Sequence, residues 1–210
     1  MTLRIAFSGS GGTGKTTMSA WLAELLQTQS SSITVLPSAT RYCIDELGYS
    51  TGKEGDSWMA LHSATIRLFW AATCKSEVLI SERCALDEVA YQAWYVEKCT
   101  REGRREEISL GTSVYHILLQ QSLSEIVGVW DFIYIKRPLL DVPIEDDGVR
   151  SLDRQYQLEV DEKILQTVAD LIRLVPIASE KIRVLPLDNE DCRDFLREEM
   201  SEWMTKLRTS

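Results

Sequence analysis

Eight residues near the amino end, Gly9-Ser10-Gly11-Gly12-Thr13-Gly14-Lys15-Thr16, match G-x-x-x-x-G-K-[ST] at every fixed position. The chemistry such a run can do is to hold a chain of phosphates. Phosphate charge must be taken out of water without being left unpaired, and consecutive backbone N–H groups can wrap it only where no Cβ stands in the way. Gly9, Gly11, Gly12 and Gly14 supply that approach, and Thr13 adds its own N–H to the loop. Lys15 is placed to reach the β- and γ-phosphates, and the Thr16 hydroxyl to sit on Mg²⁺. Thr17 adds a further N–H at the start of the helix that follows, whose first turn carries unpaired donors and a positive dipole end.

A second constellation stands at Ser81-Glu82-Arg83, directly after the apolar run Val78-Leu79-Ile80. A carboxylate at the end of a buried strand beside a phosphate loop can enter the shell of the metal, which makes Glu82 the candidate second Mg²⁺ residue. Arg83 can grip an acceptor or a phosphoryl oxygen in bidentate fashion. A third stretch, Asp146-Asp147-Gly148-Val149-Arg150 with Arg154 four residues on, has the composition of a lid, about 138–155. Arg150 and Arg154 would arrive over the phosphates as it closes, steadying charge on the transferring group and excluding water.

These residues need a scaffold that brings them to one rim. Leu3-Arg4-Ile5-Ala6-Phe7 predicts a strand, and Met18, Trp21, Leu22, Leu25 and Leu26 carry a helical stripe after the loop. Further strands are expected at Ile33–Leu36, Val78–Ile80, Asp131–Ile135 and Ile182–Leu185. Helices are expected from Arg41 to Leu47, over Trp58–Lys75, around Val89–Tyr95, from about Thr112 to Ile126, around Val160–Ile172, and over the last twenty residues. Five short apolar strands alternating with helices predict an α/β fold, a five-stranded parallel sheet with helices on both faces, in one domain over 1–210. In such sheets ligands bind beyond the carboxyl ends of the strands. That rim would carry the glycine loop, Pro37–Arg41, Glu82-Arg83 and Lys136-Arg137.

The bulk composition narrows the partners. The net charge of -9 and the isoelectric point near 4.9 oppose a nucleic-acid backbone at long range and favour a small ligand. The five cysteines, Cys43, Cys74, Cys84, Cys99 and Cys192, are scattered without a C-x-x-C pair, which points away from zinc and disulfides and toward a reducing, cytoplasmic setting. No apolar run approaches membrane-spanning length, and no signal region is expected before the first strand. Tyr42, Trp58, Phe69, Trp70, Tyr91 and Trp94 flank the third strand and could stack an acceptor base, or fill the core. Lys98, Arg101, Arg104 and Arg105 are interleaved with Glu97, Glu102, Glu106 and Glu107, the pattern of a self-paired solvated face, with a nucleic-acid groove as the alternative.

The glycine loop, the strand end Ser81–Tyr91 and the stretch Asp146–Asp153 together resemble the small AAA-type P-loop kinases, a family that includes nicotinamide riboside kinase domains and phage nucleotide-kinase-like proteins. Ser81-Glu82-Arg83 is also similar to the Glu-Arg-Ser motif of deoxynucleoside kinases. The resemblance implies ATP- and Mg²⁺-dependent phosphorylation of a nucleoside, nucleotide or related hydroxyl. It implies metal and substrate roles for Glu82 and Arg83, a substrate-side role for Asp87 and a phosphate role for Arg150. It also admits a phage-type DNA kinase acting on 5-hydroxymethyluracil in DNA. An ATPase or nucleotide switch with no acceptor is a third possibility. The sequence departs from deoxynucleoside kinases after the second strand, where Pro37–Arg41 holds no acid. Either Asp87 or Asp45 then takes the acceptor's proton, or a loose transition state needs little base help.

Overall fold

The computed structural model describes residues 2–28, 30–49, 57–144 and 151–209, with side chains as far as Trp203. Five strands form one all-parallel sheet: β1 (Leu3–Ser8), β2 (Ile33–Leu36), β3 (Val78–Ser81), β4 (Phe132–Ile135) and β5 (Ile182–Val184). Their order is β2-β3-β1-β4-β5. The register runs Leu3 to Val78 and Ile5 to Phe132 on either side of β1, and Ile33 to Val78 on the far side of β3. The expected α/β fold with a five-stranded parallel sheet is therefore the observed one, each strand within a residue of its expected ends.

Eight helices complete the described residues: α1 (Lys15–Gln27), α2 (Ala39–Asp45), α3 (Ser57–Thr73), α4 (Ala85–Glu102), α5 (Arg105–Gly128), α6 (Arg154–Leu174), α7 (Ala178–Lys181) and α8 (Asn189–Thr209). The strands alternate between two cores. Leu3, Ile5, Phe7, Val78, Ile80 and Tyr134 face α1 and α8. Ala6, Leu79, Ile133 and Ile135 face the other way, onto α4, α5 and α6. Both sides of the central strands are covered, which is why β3 reads as an unbroken apolar run. No described helix is long and apolar enough to cross a membrane.

Local chemistry sets the boundaries. Ser38 accepts from the Arg41 N–H and starts α2, and Asp153 accepts from the Tyr156 N–H and starts α6. Two departures concern the helices. The charged stretch from 97 to 107 is two helix ends meeting at Gly103, so α5 begins at Arg105 rather than near Thr112. Glu106 and Glu107 belong in its first turn because carboxylates are favoured at a helix amino end. The single turn α7 has too short a pattern to be read in advance.

Candidate active site

The glycine loop leaves β1 at Ser8 and enters α1 at Lys15, as its spacing requires. Gly9 lies against the end of β4. A Cβ there would stand 2.2 Å from the Lys136 carbonyl oxygen, so no other residue fits without moving backbone. Gly14 caps α1 in the left-handed region at φ 81, where a side chain would be strained. The Lys15 ammonium folds back over the loop it belongs to, donating to the Gly9 and Ser10 carbonyls, each at 2.7 Å, and to Thr13 Oγ1 at 3.2 Å. Thr13 Oγ1 in turn donates to the Ser10 carbonyl. Lys15 is thus held with its charge inside the cradle and is 7 % exposed.

Thr16 and Glu82 meet. The Thr16 hydroxyl donates to Glu82 Oε2 at 3.0 Å on the exposed face of the rim. Two hard oxygens at this spacing, one neutral and one anionic, suit Mg²⁺, which binds few protein groups and takes the rest of its octahedron from water and phosphate. Thr17 stands exposed in the first turn of α1.

Arg83 and Asp87 are joined, but in a way the sequence did not reveal. Asp87 is fully buried. Its Oδ1 accepts from the Gly9 N–H at 2.9 Å and from Arg83 Nη1 at 3.3 Å, and its Oδ2 accepts from the Cys84 N–H at 3.1 Å. The expected substrate-side carboxylate therefore lies beneath the loop, where it ties the first glycine to the start of α4. Asp45, the other carboxylate considered for the acceptor's proton, is exposed at the end of α2. Arg83 also lies over the Tyr91 ring, 5.3 Å from its centre. Burial works against the Arg83 charge, but Tyr91, Asp87 and Glu88 outweigh it and raise its pKa above the ordinary arginine value.

Of the stretch expected to form a lid, Arg150 and Asp146–Gly148 lie outside the described residues. Arg154, expected over the phosphates, instead spends its guanidinium on the Leu139 and Val142 carbonyls and on Gln157 Oε1. It ties the segment after β4 onto α6. Gln157, not anticipated, donates from Nε2 to the Gly11 carbonyl and so joins α6 to the phosphate loop. Lys136 and Arg137 part company. Lys136 is fully buried and points away, donating to the Leu187 carbonyl at 2.5 Å. Arg137 stays at the rim and donates from Nε and Nη2 to Asp161 Oδ2 at 3.0 and 2.9 Å.

The aromatic group does not form one platform. Tyr42 and Trp70 meet edge to face at 5.6 Å, whereas Tyr91 and Trp94 pack on Tyr156 of α6. Trp58 and Phe69 are exposed. Of the basic group, Arg104 pairs with Glu102 and Glu107 of its own stretch, whereas Arg101 pairs with Glu159 of α6. All five cysteines are free thiols, and burial with Asp87 and Glu125 nearby pushes the Cys84 thiol well up.

A cluster missed in the sequence lies behind Glu82-Arg83. Arg67 donates to Glu88 Oε1 at 2.6 Å and to Glu125 Oε1 at 3.3 Å, and Ser63 donates to the same Glu88 oxygen. Glu125 also accepts from the Ala85 N–H and from Trp130 Nε1. A signal was present: Arg67 is the one charged residue between Ser57 and Cys74, and Glu125 the one between Ile108 and Trp130. A lone charge in an apolar helix is buried with a partner or functional.

Solved structures share this architecture. A NadR protein in complex with NR superposes with a TM-score of 0.66 at 15 % identity, over 90 % of this chain and 46 % of that one. The chain thus spans about half the length of NadR. Thymidylate kinase from Candida albicans superposes at 0.64 with 18 % identity, over 96 % and 92 % of the two chains. Deoxyadenosine kinase from M. mycoides with bound dCTP gives 0.61 at 14 %, over 95 % and 100 %. At these identities the likeness is one of fold, that of the small P-loop kinases, as the resemblance implied. No curated protein matches the sequence. The AAA domain model, however, matches residues 4–182, from the second residue of β1 to the first of β5, and the chain belongs to the AAA domain family.

Proposed function

We propose that the chain is an ATP- and Mg²⁺-dependent kinase that transfers the γ-phosphoryl group to a nucleoside, a nucleotide or a related small hydroxyl compound. The observation that carries this reading is the 3.0 Å contact between Thr16 and Glu82 at the mouth of the glycine loop, with Lys15 held inside it. The loop and α1 bind the triphosphate. Lys15 leaves the Gly9 and Ser10 carbonyls for the phosphate oxygens, where its charge stabilises the transferring group. Bound Mg²⁺, held by Thr16 and Glu82, supplies neutralisation of phosphate charge. Arg83, fixed by Asp87 and Tyr91, offers its remaining N–H groups to the acceptor or to a phosphoryl oxygen. Arg150 supplies a further charge on closure of the lid.

The fold shared with a thymidylate kinase and a deoxyadenosine kinase supports a small acceptor. The acidic balance does too, as does the pairing of the basic residues Arg101 and Arg104 with acidic neighbours.

Incubation with ATP, Mg²⁺ and a panel of nucleosides and nucleotides is expected to release ADP with at least one acceptor. Hydrolysis at a rate that no acceptor alters would overturn the kinase reading. Lys15→Ala is expected to lower transfer by about 10²–10³-fold, the usual effect of removing one oriented stabilising group. Arg150→Ala is expected to lower turnover more than ATP affinity. A pure affinity loss would make Arg150 a ground-state contact.

A further inference from the structure

We propose that Arg137 is a second anion-binding side chain of the phosphate rim, reaching the terminal phosphoryl group of a bound triphosphate, and that Asp161 is the residue that aims it. The inference rests on the nucleotide-binding reading above and assigns one of its contacts. Arg137 leaves the end of β4 one residue past Lys136, whose N–H and carbonyl border the start of the glycine loop: Lys136 N donates to the Ser8 carbonyl, and its own oxygen lies against Gly9. The side chain therefore starts beside the cradle.

Its pairing is unusual in two respects. Two parallel hydrogen bonds to both carboxylate oxygens would be the favoured arginine–carboxylate geometry. Here Nε and Nη2 both donate to Oδ2 of Asp161. Nη1 has no partner among the described residues. Asp161 Oδ1 is buried and likewise has none. Burial is also lopsided: the Asp161 side chain is 2 % exposed and the Arg137 side chain 41 %. A buried carboxylate grips one edge of the guanidinium and leaves the other edge turned outward with free donors.

The neighbours say what that edge faces. Asp161 is close enough to Lys15 to feel its charge. It lies on the same face of α6 as Gln157, which holds the Gly11 carbonyl, and Arg154, which holds the Leu139 carbonyl. Arg137 is paired with the buried Asp161, and the Lys15 charge lies near enough to act on the same carboxylate. A ligand that satisfies both cations without displacing Asp161 is polyanionic. In this reading the Arg137 donors not held by Asp161 meet the terminal group of the triphosphate.

The test reads binding, so it needs no acceptor. Calorimetric titrations with Mg²⁺-AMP-PNP and with Mg²⁺-ADP would be run on the wild type, Lys15→Ala, Arg137→Gln, Arg137→Lys, Asp161→Asn and the Arg137→Gln/Asp161→Asn double variant. Loss of one charge-assisted contact to the terminal group is expected to weaken AMP-PNP by about tenfold in Arg137→Gln, with ADP nearly unchanged. Arg137→Lys is expected to recover part of the loss. Asp161→Asn is expected to weaken AMP-PNP selectively but less, and the double variant to be no worse than Arg137→Gln alone, because Asp161 acts through Arg137. A wild-type ratio of the two affinities in Arg137→Gln, or equal loss of both nucleotides, would overturn the inference while leaving the kinase reading standing. A wild type that binds neither nucleotide would overturn both.

Discussion

Arg67 and Arg137 both pair with buried carboxylates, but in opposite senses. Arg67 is itself buried, with 2 % of its side chain exposed between Glu88 at 6 % and Glu125 at 2 %. It crosses from α3 to α4 and α5, and nothing from solvent reaches it. Arg137 has a buried partner but is itself half out. The first arrangement locks three helices together. The second uses a buried anchor to present charge at a rim. Which member of the pair is buried separates a structural arginine from one aimed at a ligand.

The comparison breaks most visibly under substitution of the arginines. Arg67→Leu leaves Glu88 and Glu125 buried without their cation, and removing one member of such a group costs about 3–5 kcal/mol. For a chain of this size that lowers the melting temperature by about 6–20 °C. Arg137→Gln keeps a donor for Asp161 and is expected to cost less than about 1 kcal/mol. Thermal unfolding of the two variants side by side checks this. Equal losses would erase the distinction.

Glu82→Gln sharpens the rim side of the contrast. It keeps the hydrogen bond with Thr16 Oγ1 but removes the anionic oxygen, so folding is expected to be unaffected. Nucleotide affinity measured against Mg²⁺ concentration is expected to shift to about 10–100-fold higher metal, the usual cost of disturbing a metal's supporting groups. An unchanged Mg²⁺ dependence would remove Glu82 from the metal site.

How far the sequence could be read follows from the range of each interaction. The strands, the loop and the joining of Thr16 to Glu82 were legible because each rests on local pattern: an apolar run, a glycine spacing, a position at a strand end. The contacts of Asp87 are not legible in the sequence, because its position in the first turn of α4 is the same whether it faces a substrate or the Gly9 N–H. Only the β3–β1 pairing, which brings that turn under the loop, decides. Gln157 and Asp161 were invisible for the same reason. They lie three and seven residues beyond Arg154 on one face of α6, yet which loop that face meets is a matter of strand order. Arg67 and Glu125 could have been flagged as lone charges, but the partnership between them could not.

The smallest expected effect tests the anchor itself. Burial pushes the Asp161 carboxyl above the ordinary aspartate value, and the Arg137 and Lys15 charges only partly offset it. The folded protein therefore holds this proton more tightly than the unfolded chain does. Between the ordinary aspartate value and the raised one, unfolding releases a proton, so the contribution of Asp161 to stability falls as pH rises through that window and stays low above it. Asp161→Asn, which is neutral throughout, is expected to match or slightly exceed the wild type in melting temperature at neutral pH. That advantage should fade as pH falls below the ordinary aspartate range, where the wild-type carboxyl is protonated in both states. Differential scanning of the two proteins across pH measures the gap. A variant less stable than the wild type at neutral pH would mean that the Arg137 pairing outweighs the burial of the charge, and that Asp161 holds α6 in place as well as aiming Arg137.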